Sequence, residues 1–363
     1  MATLHKYSIL ITFAHPNPDL AAIQSRPVPY QGARTDTFCF NAQSIRIYAN
    51  RYYKIHDNNI DLYQKTNLIN LQIHKAIELY YATCSVYTHV RSINIKIKTN
   101  SSKSKYKDYI TANTFTQPLP RNIKGVNTWK FAPDYMLPML GIDAKANAYQ
   151  IALSYCLKSA TENTDFAKFS NLWRAFNALY RYHSNSSMDS RGLRSMEAII
   201  RTHYMRLSLC RAMIPNYASL LTSLRWRKFI INKISIDKSR RPSHGTGTSD
   251  FLTHYRDYRI NRIFNRFVNN IGIWSNIVSI QNIVPQNIQQ HIQTNISAHR
   301  QIQREILMLL IKDYAYFLRN TLFHGAVDEP SFTLGTTQEQ KELGMAKVWL
   351  ENLIKDLLNN QLI

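Results

Sequence analysis

Near the N-terminus, apolar and polar residues alternate. Ser8 to Phe13 reads as a buried strand, and Thr37 to Phe40 and Ser44 to Tyr48 read as two more. Asp57-Asn58-Asn59 has the composition of a turn. Ile93, Ile95 and Ile97 alternate with Asn94, Lys96 and Lys98, the period-2 signature of a strand with one face exposed. Between these runs Leu68 to Val90 fits a helix, with Leu71, Ala76, Leu79 and Ala82 among its apolar positions. The Ser/Lys-rich stretch Lys98 to Lys107 reads as a loop.

After Pro118, Pro120, Pro133 and Pro138, which suggest a linker, the period changes to that of helices. Asn147 to Lys158, Asp165 to Tyr182 and Leu193 to Met213 are each predicted as one helix, the last ended by Pro215. The second carries Phe166, Phe169, Trp173, Phe176, Leu179 and Tyr180 at helical spacing, an aromatic stripe expected in a bundle core. A long helix is predicted from about Asn295 to His324, with Gly325 placed as its cap. Thr336-x-x-Glu339 is a capping box that opens a last helix bearing Leu343, Leu350, Leu353 and Leu357. The expected architecture is an α+β N-terminal domain over residues 1–135. An all-α helical bundle over 140–363 follows, interrupted by a basic insertion at about 222–292.

Charge sharpens this picture. The chain of 363 residues has 45 Lys+Arg against 23 Asp+Glu, a formal net charge of +22. An excess of this size favours a polyanionic partner, and RNA is the expected one. The insertion concentrates it: Arg225, Arg227, Lys228, Arg240, Arg241, Arg256, Arg259, Arg262 and Arg266 alternate with aromatic residues. Such a run can follow a nucleic-acid backbone and stack unpaired bases, or form a solvated arm. The cysteines Cys39, Cys84, Cys156 and Cys210 make no CxxC pair and are expected to be small apolar core residues of a reducing cytoplasm. The apolar run Ile9 to Ala14 is too short for a signal peptide and Ile306 to Ile311 is too short to span a bilayer, so no membrane association is expected. Neither GxxxxGK[ST] nor GxGxxG occurs, which leaves nucleotide hydrolysis without sequence support.

The residues with the most chemistry are Arg319-Asn320-Thr321-Leu322-Phe323-His324-Gly325. An arginine, an amide and a histidine meet at one helix end. The guanidinium stays charged and can hold two phosphate oxygens, while the imidazole can move protons near neutral pH. On an ideal helix five residues turn through about 500°, so Arg319 and His324 point roughly 140° apart. They converge if the last turn opens or if a second subunit completes the site. A helix C-terminus also favours the protonated imidazole. A second Arg-x4-His match, Arg51 to His56, sits in strand-like context and is read as coincidence. Asp313, seven residues before Asn320 on the same helix face, is a candidate to hold Arg319, or else a simply exposed residue. Asn177 is a candidate to face the cleft, or else a buried, satisfied amide.

Together, the aromatic helix Phe166 to Tyr180 and the Arg-Asn-x-x-x-His motif at Arg319, Asn320 and His324 resemble the HEPN superfamily, over about residues 145–360. That resemblance implies a helical bundle acting as a metal-independent endoribonuclease, with Arg319, Asn320 and His324 as catalytic residues and no cofactor. It also implies a homodimer, because two such motifs usually meet across an interface in that family. A role in microbial antiviral defence or as a toxin, with an antitoxin or defence-system partner, is implied by the family alone. Some HEPN toxins carry a tyrosine two residues after the histidine that a partner modifies; here that position is Ala326, and this form of control is not expected. The alternative is a non-catalytic RNA-binding or adaptor protein on a HEPN-like bundle.

Overall fold

The computed structural model describes residues 4–29, 34–52, 68–84, 86, 88–99, 108–111, 131–214, 234–236, 242–244, 300–323 and 338–363. Its N-terminal part is an antiparallel sheet in the order β2-β3-β4-β1-β5-β6. The strands are β1 His5–Phe13, β2 Ser25–Pro29, β3 Thr35–Asn41, β4 Ser44–Arg51, β5 Val90–Thr99 and β6 Asp108–Thr111. A short helix, α1 (Pro18–Ala21), follows β1. The central strand β1 pairs with β4 on one side and β5 on the other, so that Ile9 faces Ile47 and Ile95. Odd-numbered positions of β1, β4 and β5 therefore share one face, and Ile9, Ile11, Ile45, Ile47, Ile93 and Ile95 are buried there. Each such side chain contributes about 1.5–3 kcal/mol by leaving water.

That face is covered by α2 (Leu68–Thr83), most of whose residues are buried. A helix apolar on nearly all sides needs cover on both. The sheet supplies one layer and the helical region the other. Glu78 accepts a hydrogen bond of 2.7 Å from Ser154, and the Lys75 ammonium donates to the Gly141 carbonyl. The expected helix to Val90 was too long: α2 stops at Thr83, and β5 begins at Val90. β2 was not anticipated; it is an edge strand, where the missing N–H of Pro27 and Pro29 is tolerated.

The C-terminal part is mostly helical. Pro133 opens α3 (Pro133–Met136) and Pro138 lies in the first turn of the 3-10 segment Leu137–Leu140, so these two prolines start helical turns instead of forming a linker. α4 (Ala144–Thr161) is capped by Asp143, and α5 (Asp165–Ser184) by Thr164, whose hydroxyl accepts from Ala167 N–H at 3.2 Å. The predicted single helix Leu193 to Met213 is broken. It consists of α6 (Asp189–His203), a 3-10 turn Tyr204–Arg206 and α7 (Ser208–Met213). Asp356 draws the break inward by accepting from Leu209 N–H and Cys210 N–H at the start of α7. A two-stranded ribbon pairs β7 (Ile234–Ile236) with β8 (Pro242–His244). The long C-terminal helix is α8 (Arg300–Met308), a π-helical stretch Leu309–Ala315, then α9 (Tyr316–Phe323). α10 (Gln338–Asn359) closes the order and packs on α5 and α7.

The aromatic stripe of α5 is core: Phe169, Trp173, Phe176, Leu179 and Tyr180 are buried, and Trp173 packs on Tyr316 of α9 with centroids 5.9 Å apart. Cys84, Cys156 and Cys210 are buried as expected, and burial pushes their thiols up. Cys39 is half-buried on the open side of the sheet. No helix among the described residues is long and apolar enough to cross a membrane.

Candidate functional site

Three helices converge on Arg319. α9 presents it, α5 contributes Tyr180 and Arg181, and α6 contributes Asp189 from its first turn. The α5–α6 connection is short because Asn185 adopts a left-handed conformation (φ 46°) and its N–H closes the end of α5 on the Arg181 and Tyr182 carbonyls. Asparagine tolerates that conformation better than most residues. Gly192, one turn into α6, then lies directly against the Tyr180 ring; a Cβ there would overlap it. This close approach brings the Asp189 carboxylate to the Tyr180 hydroxyl, which donates to it at 2.8 Å.

Asp189 gathers two cations. Arg181 donates to it at 3.3 Å, and Arg319 stands 3.6 Å away, an ion pair too long for a hydrogen bond. Arg319 also donates to its neighbour Asn320 at 2.9 Å and lies 5.8 Å from the Tyr316 ring centre. Its side chain is 24% exposed, while its Nε is buried. Burial, and then the hydrogen bond to Asp189, push the Tyr180 phenol well above its ordinary range. Tyr180 therefore stays protonated and acts as a fixed donor that orients the carboxylate.

A cleft of about 960 Å³ runs along α5 and includes Arg174, Asn177, Arg181 and His183 in its wall. Arg319 does not line it; the link runs through Asp189 and Arg181. A smaller recess of about 270 Å³ includes Arg174, Lys158 and Leu322, the last of these three residues beyond Arg319. Asn177 is half-buried, and its Oδ1 has no hydrogen-bond partner among the described residues. Its side chain borders this cleft, which Arg319 does not line, and its Oδ1 is buried, so neither sequence reading, an amide in the Arg319 cleft or a satisfied core amide, describes it. His183 bonds Ser195 through Nδ1, and burial lowers its pKa.

Arg319 and Asn320 are thus brought together, as the sequence suggested. α9 is described to Phe323, and His324, Gly325 and Ala326 lie outside the described residues. So do Arg225, Arg227, Lys228, Arg240, Arg241, Arg256, Arg259, Arg262, Arg266, and His56. The carboxylate facing Arg319 is Asp189, which sequence reasoning missed; it is distant in the chain, and only the α5–α6 turn brings it near. Asp313, the candidate chosen from sequence, is buried inside the π-helical stretch. That stretch was also missed. The nearly unbroken apolar run Ile306 to Ile311, wider than one helix stripe needs, was the available signal. A π turn inserts an extra residue and so rotates everything after it, Arg319 included. Lys312, within it, pairs with Glu197 of α6.

Arg51, the arginine of the second motif match, is 1% exposed and forms a bidentate pair with Asp36 at 2.8 and 2.6 Å. It is a structural residue that no phosphodiester can reach. Among the described residues no group of three or more His, Cys, Asp or Glu is placed to hold a metal ion. No protein family, curated protein or solved structure matches the chain.

Proposed function

We propose that this protein is a metal-independent endoribonuclease of HEPN type. The single observation that carries the proposal is Arg319: a part-exposed arginine side chain on α9, steadied by Asn320 and Asp189, five residues before His324 in sequence. The arginine of the competing motif, by contrast, is sealed.

In the proposed reaction the 2′-hydroxyl of a nucleotide loses its proton to a base and attacks the adjacent phosphorus. The bond from phosphorus to the 5′-oxygen breaks, and that oxygen takes a proton from an acid. The products are a 2′,3′-cyclic phosphate and a 5′-hydroxyl. His324 is the group that moves these protons. One copy supplies one imidazole, so a base and an acid together call for two copies, which is why a homodimer belongs to the proposal. Arg319 offsets the charge that grows on the phosphoryl oxygens. The Asp189 carboxylate stands 3.6 Å from it and helps to aim it. A place in microbial defence or as a toxin, with a cognate partner, rests on the family resemblance.

The test is incubation with single-stranded RNA in EDTA. Cutting by the wild-type protein that is lost in His324→Ala, with RNA binding retained, supports the proposal. Binding without cutting in the wild type favours the adaptor reading, and cutting that persists in His324→Ala removes the site assignment.

A further inference from the structure

Among the described residues, only one face of the N-terminal sheet is covered. On the other, the register sets Tyr48 and Lys96 on either side of Ser8, and Asn50 and Lys98 on either side of Lys6. Arg46 lies two residues before Tyr48 on the same face and donates to its hydroxyl at 3.4 Å. Lys6, Arg46 and Lys98 are exposed. Tyr48 is 43% exposed, and a groove of about 580 Å³ runs between Lys6, Arg46, Tyr48 and Lys96. Just past β4, Tyr52 is 52% exposed and carries the Arg34 guanidinium 4.1 Å above its ring. Among the described residues no carboxylate shares this face: Asp36, on β3, points inward to Arg51.

An exposed tyrosine is a poor way to keep an antiparallel sheet soluble, and a second one four positions on makes the placement harder to ascribe to chance. At roughly 3.4 Å per residue the two are about 14 Å apart, room for separate bases. Lys6 and Arg46, exposed and with no carboxylate beside them among the described residues, give this face a positive field. Flat aromatic rings among cations on an open sheet are the combination that binds unpaired nucleotides: the rings stack on bases of any sequence, and the cations follow the backbone. Duplexes hide the base faces that the rings need. We propose that this sheet face is a docking surface for single-stranded RNA, with Tyr48 as the stacking platform and Lys6, Arg46 and Lys96 as the phosphate contacts.

The surface extends the nuclease reading, since it would hold the strand that the helical site cuts, but it is tested on binding alone. The probe is a short fluorescein-labelled oligouridylate, followed by anisotropy in EDTA over a range of salt. Every protein is full-length and carries His324→Ala, so the strand stays whole. Adding Lys6→Ala, Arg46→Ala and Lys96→Ala together is expected to weaken binding at least about tenfold and to flatten the slope of log affinity against log salt by about 2, at roughly 0.7 per lost contact. Tyr48→Ala is expected to weaken it by about fivefold or more, and Tyr48→Phe to leave it nearly unchanged. Matched thermal melts confirm that these surface changes leave the fold intact. Unchanged affinity in the triple variant and in Tyr48→Ala overturns the proposal. So does tighter binding of duplex DNA or an acidic peptide than of the oligouridylate at equal salt. Tyr48-dependent binding by a wild-type protein that cuts nothing would remove the nuclease reading and leave this surface standing.

Discussion

Two arginine–aspartate pairs sit in the two halves of this molecule, and they differ in almost everything but chemistry. Arg51 and Asp36, inside the sheet, are each 1% exposed and joined by two short hydrogen bonds. Arg319 and Asp189, among the helices, are 24% and 17% exposed and stand 3.6 Å apart. In the first pair the guanidinium is sealed inside the fold, with Nη1 and Nη2 both bonded to the Asp36 carboxylate. In the second, the carboxylate is shared with Tyr180 and Arg181, and both side chains of the pair are part-exposed. Both arginines head the same short motif, and burial, not spacing, separates the structural arginine from the candidate catalytic one.

The largest expected effect falls on the sealed pair. Asp36→Ala leaves a buried charge without its partner, and denaturant unfolding should show a loss of about 3–5 kcal/mol with RNA cleavage per folded molecule unchanged. Arg319→Ala should do the reverse. Cleavage is expected to fall by about 10²–10³-fold, some 2.7–4 kcal/mol of barrier, while thermal stability moves by less than about 1 kcal/mol. A large stability loss with intact cleavage would erase the contrast between the two pairs. Gly192→Ala comes next. Its methyl meets the Tyr180 ring, so overpacking should cost about 1–3 kcal/mol in a melt and, by moving Asp189, lower cleavage as well.

The last effect is one of slope. Lys75 lies on α2, the layer between sheet and helices, where burial pushes its ammonium down from 10.5 to about 8. Between those values the unfolded chain holds a proton that the folded chain lacks, so this group makes stability rise with pH from about 8 to 10.5. Lys75→Met should reduce that rise in unfolding measured across the window.

Much of the fold could be read from period alone. Alternation in Ile93 to Lys98 marked β5, and the aromatic spacing from Phe166 to Tyr180 marked a buried helix. What escaped was decided by tertiary contacts. The prolines of β2 are acceptable only because it lies at an edge. The break between α6 and α7 depends on Asp356, far along the chain, and the π turns before Arg319 hide inside a run that satisfies the helical period well enough. At the site, Arg319 and Asn320 were legible because they are adjacent. Asp189 was not, since its nearness depends on a left-handed asparagine and a glycine that lets two helices touch.

The nuclease proposal meets its most direct test in the ends of the cut RNA. With EDTA present, wild-type protein is expected to leave a 2′,3′-cyclic phosphate and a 5′-hydroxyl, and Arg319→Ala and His324→Ala to leave the strand intact. A 3′-hydroxyl with a 5′-phosphate, or the same cuts made by both variants, would contradict it.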